Sequence, residues 1–205
     1  YFNYSLDYNV TNNRFRPEEG FRNLFQQELP IMSDNYEIVN SFESTRYQKI
    51  SEMVTKVSFY GKAVNSLGNE DVRISKRLFM PSSKLRGFES GKVGPIENND
   101  YIGGNYISAL NFSTTLPKLL PSFQNIDFSL FVDAANIWGV DYDSAIDNSK
   151  IRSSTGIAMN LLTPIGPLNF SLSQPITKSS TDKTESFRFN LGTTFWLVSK
   201  NSVFI

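Results

Sequence analysis

The chain has 205 residues, 40% of them apolar and 20% charged, with 20 Lys and Arg against 20 Asp and Glu. That is one domain or a piece of a larger one, and a formal charge of zero argues against nucleic acid, whose phosphates need a basic excess. With no Cys and no His, thiol nucleophiles, imidazole bases, disulfides and the commonest zinc ligands are excluded together.

No basic stretch followed by an apolar one opens the chain at Tyr1, so it is expected to be a processed product or a fragment. No run of about 18 apolar residues occurs, which excludes a transmembrane helix. A membrane barrel stays open, because a spanning β-strand needs only about ten residues that are apolar on alternate positions. The 17 Phe and 9 Tyr sit in a chain of slightly polar mean hydropathy, as such interleaving produces.

The opening segment places Phe2, Tyr4, Leu6, Tyr8 and Val10 on one parity and Asn3, Ser5, Asp7, Asn9 and Thr11 on the other. Side chains of a strand point alternately to opposite faces, so this is one apolar and one polar face. Weaker, interrupted alternation runs through residues 21–29, 36–47 and 53–63. Clear strands are predicted at 106–116, with Tyr106, Leu110, Phe112 and Leu116 outward, and at 126–134, with Ile126, Phe128, Leu130 and Val132 outward. Residues 153–161 and 168–172 follow. The last strand carries Phe187, Phe189, Leu191 and Phe195 on one parity and Arg188, Asn190 and Gly192 on the other. Nine strands result.

The connections are unequal. Residues 12–19, 48–52, 117–122 and 164–167 form short turns, whereas 139–150 and 175–184 are longer and polar, and 64–103 is by far the longest; the short link at 30–35 breaks the rule. Short turns at one end and long loops at the other mark an outer-membrane barrel. A loop near forty residues is costly to order, so a function is expected of it. Bacterial single-chain barrels have even strand numbers; nine strands therefore predict an all-β fold, the C-terminal part of a larger transmembrane antiparallel barrel.

Within the long loop stands Leu85-Arg86-Gly87-Phe88, followed by Gly94-Pro95. Further on come Phe131-Val132-Asp133, Trp138-Gly139, Pro164-Ile165-Gly166-Pro167-Leu168 and the strand 187–195. In this order and spacing the chain resembles the BamA family of outer-membrane protein assembly factors, in the bacterial surface antigen superfamily. The resemblance covers about residues 4–195. It implies a sixteen-stranded barrel behind periplasmic POTRA domains, of which residues 1–195 are the last nine strands and 196–205 a C-terminal extension where most relatives stop.

Asp133 has the parity opposite to Leu130 and Val132 and therefore faces inward. A guanidinium from a folded-back loop would hold it through paired charge-assisted bonds. The resemblance implies that Arg86 does this, with Gly87 allowing close backbone approach and Phe88 packing on the inner wall. Alone, an Arg-Gly-Phe is usually an exposed loop segment. Asn111 stands where relatives often carry a second acid; it is expected to accept one hydrogen bond and to leave the anchorage weaker. Gly192 is either a weak point in a strand or, as in relatives, the kink that loosens the terminal strand's pairing. Glu18, Glu19, Asp141 and Asp143 read as solvated loop charges.

The implied function is assembly and insertion of β-barrel proteins into the bacterial outer membrane, with the terminal strand templating an incoming one by β-augmentation. That reading involves no enzyme chemistry, nucleotide or cofactor. Its partners are the outer-membrane bilayer, nascent outer-membrane proteins and accessory lipoproteins. The alternatives are a TamA-like or two-partner-secretion translocator, a passive porin-like channel and, outside membranes, a soluble β-protein such as a lectin.

Overall fold

The computed structural model describes residues 1–14, 16–31, 36–68, 70–117, 125–147, 149–163 and 166–191. Four strands come first: β1 (Phe2–Asn9), β2 (Gly20–Leu29), β3 (Glu37–Ile50) and β4 (Met53–Ser66). The long loop then carries a 3-10 turn at Ile74–Lys76 and a ribbon of β5 (Ile96–Glu97) and β6 (Asp100–Tyr101). The remaining strands are β7 (Tyr106–Thr115), β8 (Ile126–Trp138), β9 (Arg152–Thr163), β10 (Gly166–Thr177) and β11 (Phe187–Leu191). Nine of them form one sheet in the order β1-β2-β3-β4-β7-β8-β9-β10-β11, every neighbour antiparallel. This is the meander expected of part of a barrel.

Pairing register lines up the apolar rows. Leu130 lies opposite Ile157, Ile157 opposite Leu172 and Leu172 opposite Phe187, and all four are exposed. A second row joins Val57, Phe112 and Val132, also exposed. At the loop end of this outer face Tyr106 and Trp138 stack at 5.8 Å, and at the turn end Tyr8 and Phe21 lie 5.7 Å apart. An apolar band between two aromatic rims is the surface that a bilayer solvates.

The inner face is not uniformly wet, contrary to the expectation of an aqueous lining. Near the loop end, Val64, Ile107, Ala109, Ala135 and Ile137 are buried under Val72, Leu78, Met80, Leu85, Phe88 and Val93 of the long loop. Toward the turns, Ser58, Ser113, Ser129, Asn160, Asn169 and Asn190 line an open polar cavity. One alternation gives a dry or a wet wall according to what covers it.

Several strand ends differ from the sequence reading. β3 runs on to Ile50, and only Ser51 and Glu52 join it to β4 at the expected Met53, with Ser51 at φ 58°. β4 extends to Ser66, so the long loop starts later than expected. β10 reaches Thr177 through Pro175, because the register slips between Pro175 and Thr177. A bulge is where a strand tolerates proline. The links at 32–35, 118–124 and 164–165, together with Gly192, Phe195 and the extension 196–205, lie outside the described residues.

Candidate functional site

The long loop lies on the inner face through a series of ion pairs. In each the loop supplies the cation; the anion comes from a wall strand or, for Asp141, from the connection after β8. Arg73 bonds Glu37 of β3 at 3.2 Å, and Lys76 bonds Glu28 of β2 at 3.0 Å. Arg77 bonds Asp141, just beyond β8, at 2.6 Å, and Lys84 bonds Glu43 of β3 at 2.6 Å. The fifth is Arg86 with Asp133 of β8. Burial of a carboxylate between strands is expensive without such partners. Glu37 and Asp133 are both buried.

Arg86 and Asp133 meet in the geometry that a guanidinium and a carboxylate favour. Nε donates to Oδ2 and Nη2 to Oδ1, each at 2.7 Å, and the Arg86 backbone N–H adds a bond to Oδ2 at 3.1 Å. The guanidinium carbon lies 3.5 Å from the centre of the Phe131 ring, a cation-π contact that covers one face. Asp133 is 0% exposed. Asn111 departs from its expected role: its amide nitrogen donates to Asp133 Oδ1 and to the Lys84 carbonyl, both at 2.8 Å. Two acceptors on that nitrogen fix the amide's orientation. Asn111 therefore ties the loop to the wall.

Gly87 has φ 87°, and a Cβ there would sit 3.2 Å from the Cβ atoms of both Ser154 and Ser173. The loop thus touches β9 and β10 at a left-handed position that glycine alone adopts cheaply. Ser154 Oγ donates to the Arg86 carbonyl at 2.5 Å. Leu85 and Phe88 are buried in the cluster described above. Around Asp133 the structure brings together Leu85, Arg86, Gly87, Phe88 and Asn111; Phe187, Phe189 and Leu191 lie on the exposed outer face of β11.

The connection between β10 and β11 pairs with the loop tip. Phe88 and Thr184 form an antiparallel bridge, Glu185 N–H donates to the Gly87 carbonyl at 3.1 Å, and Glu89 N–H donates to the Lys183 carbonyl at 3.0 Å. Beneath it lies a second buried ion pair. Arg152 Nε donates to Asp182 Oδ2 at 3.0 Å and Nη2 to Oδ1 at 3.2 Å, with both side chains 0% exposed. Asp182 also accepts the backbone N–H groups of Gly94 at 3.4 Å and Ser179 at 2.6 Å.

The Omp85 superfamily domain matches residues 1–195. The chain belongs to the Omp85 superfamily. It is similar to the outer membrane protein assembly factor BamA of Neorickettsia risticii, 24% identical over 199 residues covering 94% of this chain and 27% of the relative. BamA of Neisseria meningitidis is 33% identical over 144 residues, 54% of this chain and 17% of the relative. Among solved structures, BamA of Haemophilus ducreyi lacking POTRA domains 1–3 matches with a TM-score of 0.84 and 27% identity, over 93% of this chain and 41% of that one. The chain thus spans about a quarter or less of these two curated relatives. It is the C-terminal barrel portion of an Omp85 protein of the bacterial outer membrane.

In this Omp85 chain Asp141 is not the solvated charge that its loop composition suggested. It accepts the Val72 backbone N–H at 2.7 Å, the Arg77 guanidinium, and the Asn105 amide at 3.1 Å. Burial pushes its carboxyl up, but the Val72, Asn105 and Arg77 contacts outweigh this and hold it below the usual carboxylate range. Glu18, bonded by Lys49 at 2.5 Å, and Asp143, which accepts the Ala145 N–H at 2.8 Å, remain solvent-accessible loop charges. The pairs from Arg73, Lys76, Arg77 and Lys84 had no local signature. The available signal was compositional: basic residues crowd residues 73–86 while acids fall on inward parity at Glu28, Glu37 and Glu43.

Proposed function

We propose that this barrel portion serves the assembly and insertion of β-barrel proteins into the outer membrane, the role named for its BamA relatives. The observation that carries the reading is the Arg86–Asp133 grip, through which a long loop is seated against the inner wall of an Omp85 barrel. The seated loop speaks against a passive porin-like channel. Its contacts run to β8, β9 and the β10–β11 connection, next to the terminal strand. There the Phe187, Phe189 and Leu191 face and the strand's backbone groups would template an incoming strand. The role needs neither nucleotide nor cofactor. Partners would be nascent outer-membrane proteins, the bilayer and accessory lipoproteins of an assembly complex.

The test uses the intact protein as the only copy in a cell. Arg86→Ala, present at normal abundance, should lower the amount of folded outer-membrane barrel protein several-fold. Unchanged levels would contradict the reading. For templating, a photo-crosslinker placed at Asn190 of β11 should trap client strands during assembly. Normal client folding with no trapped adduct would remove the templating step.

A further inference from the structure

We propose that Arg188 is a positioning residue that couples seating of the long loop to the pairing of the terminal strand. The functional consequence rests on reading β11 as the templating strand; the coupling itself does not.

Arg188 projects inward from β11 with a side chain only 10% exposed. Its Nη2 donates to the Phe88 carbonyl at 2.6 Å and its Nη1 to the Ser82 carbonyl at 3.1 Å. Its Nε donates to Glu185 Oε2 at 3.0 Å, and Nη2 also meets that carboxylate. The two carbonyls lie on either side of Arg86 along the loop, Ser82 before it and Phe88 after it. Both acceptors are backbone carbonyls of the long loop, so their positions follow that of the loop. Arg188 lies opposite Ser171, within the ladder that joins β11 to β10 at Leu168–Leu172.

If the loop leaves the wall, Arg188 keeps Glu185 and loses both carbonyls. A buried guanidinium deprived of acceptors is costly, so β11 must shift to re-solvate it or loosen from β10. The coupling is therefore one of hydrogen-bond satisfaction. Lysine could keep the charge opposite Glu185, but its single ammonium lacks the planar fork that reaches Phe88 and Ser82 together.

Amide hydrogen exchange on the intact protein in a bilayer reads this directly, with β11 amides at 187–191 compared against β9 amides at 155–161. Arg86→Ala should speed β11 exchange roughly tenfold, the scale of one lost charge-assisted bond, and leave β9 unchanged. Arg188→Gln should speed it by itself and sharply reduce any further response to Arg86→Ala, leaving only what the backbone bonds between residues 87–89 and 183–185 transmit. Arg188→Lys should behave like Arg188→Gln. The proposal is overturned if the Arg86 and Arg188 effects multiply independently, if Arg188→Lys restores the response, or if Arg86→Ala frees the loop while β11 exchange stays put. Should Arg188→Gln fail to fold, the single Arg86→Ala comparison decides. Client capture at β11 is scored separately, so a failure of templating leaves the exchange result intact, and the reverse.

Discussion

Two arginines of the same loop each reach an acid, Arg86 that of Asp133 within β8 and Arg77 that of Asp141 just beyond it, and they are held very differently. Arg86 makes a two-point bond with Asp133, adds its own backbone N–H, shares the carboxylate with Asn111 and lies on the Phe131 ring. Arg77 makes one bond to Asp141 and lies 4.7 Å from the Tyr142 ring centre, while its buried Nε and Nη1 have no hydrogen-bond partner among the described residues. Burial of a charge is thus not the same as anchorage. What distinguishes the two is how many of the desolvated groups are answered, since an unanswered donor costs what an answered one returns.

That difference can be broken from the strong side. Asp133→Ala should leave Arg86 and the Asn111 amide without their acceptor and destabilise the seated loop by about 3 kcal/mol or more, the scale for stripping one partner from a buried pair. Exchange of the loop amides at 84–89 measures it. A change no larger than that of an exposed pair would erase the contrast. From the weak side, Arg77→Met should cost no more than about 1 kcal/mol, because a flexible apolar chain of similar length removes two unanswered donors along with one bond. Chemical denaturation of the loop contacts checks this, and a loss matching Asp133→Ala would show that Arg77 anchors as firmly as Arg86.

The smallest effect is on pH. The folded Asp141 carboxyl lies below its ordinary value, so its contribution is complete above the usual carboxylate range and fades as pH falls through the depressed folded value. Loop-base protection at Val72 should therefore be flat from neutral pH down to about 5 and decline only in stronger acid. Asp141→Asn should flatten the decline. Acid sensitivity persisting in that variant would place its origin elsewhere.

The strands were legible because a period of two leaves its mark in any ten-residue window. β1, β7, β8 and β11 show it plainly. β3 and β10 were read too short for a local reason: polar residues beyond Tyr47 resemble a turn, and Pro175 resembles a stop until the bulge explains it. Arg86 and Asp133 were legible through motif and parity together. Arg152 with Asp182 was not, since a buried pair between a strand's first residue and a distant polar connection has neither spacing nor composition to mark it. The inward place of Asn111 is readable from parity, but which end of its amide is used is not, because that depends on neighbours brought from 22 and 27 residues away.

The most direct test is a double-mutant cycle on Arg86→Ala and Asp133→Ala in the intact protein, read as the free energy of opening at residues 84–89. If one bond network holds the loop, the second substitution adds almost nothing to the first, and the coupling energy approaches the cost of the single Asp133→Ala change, about 3 kcal/mol. Two losses that simply sum would mean that Arg86 and Asp133 stabilise the loop independently, and the grip described above would not exist.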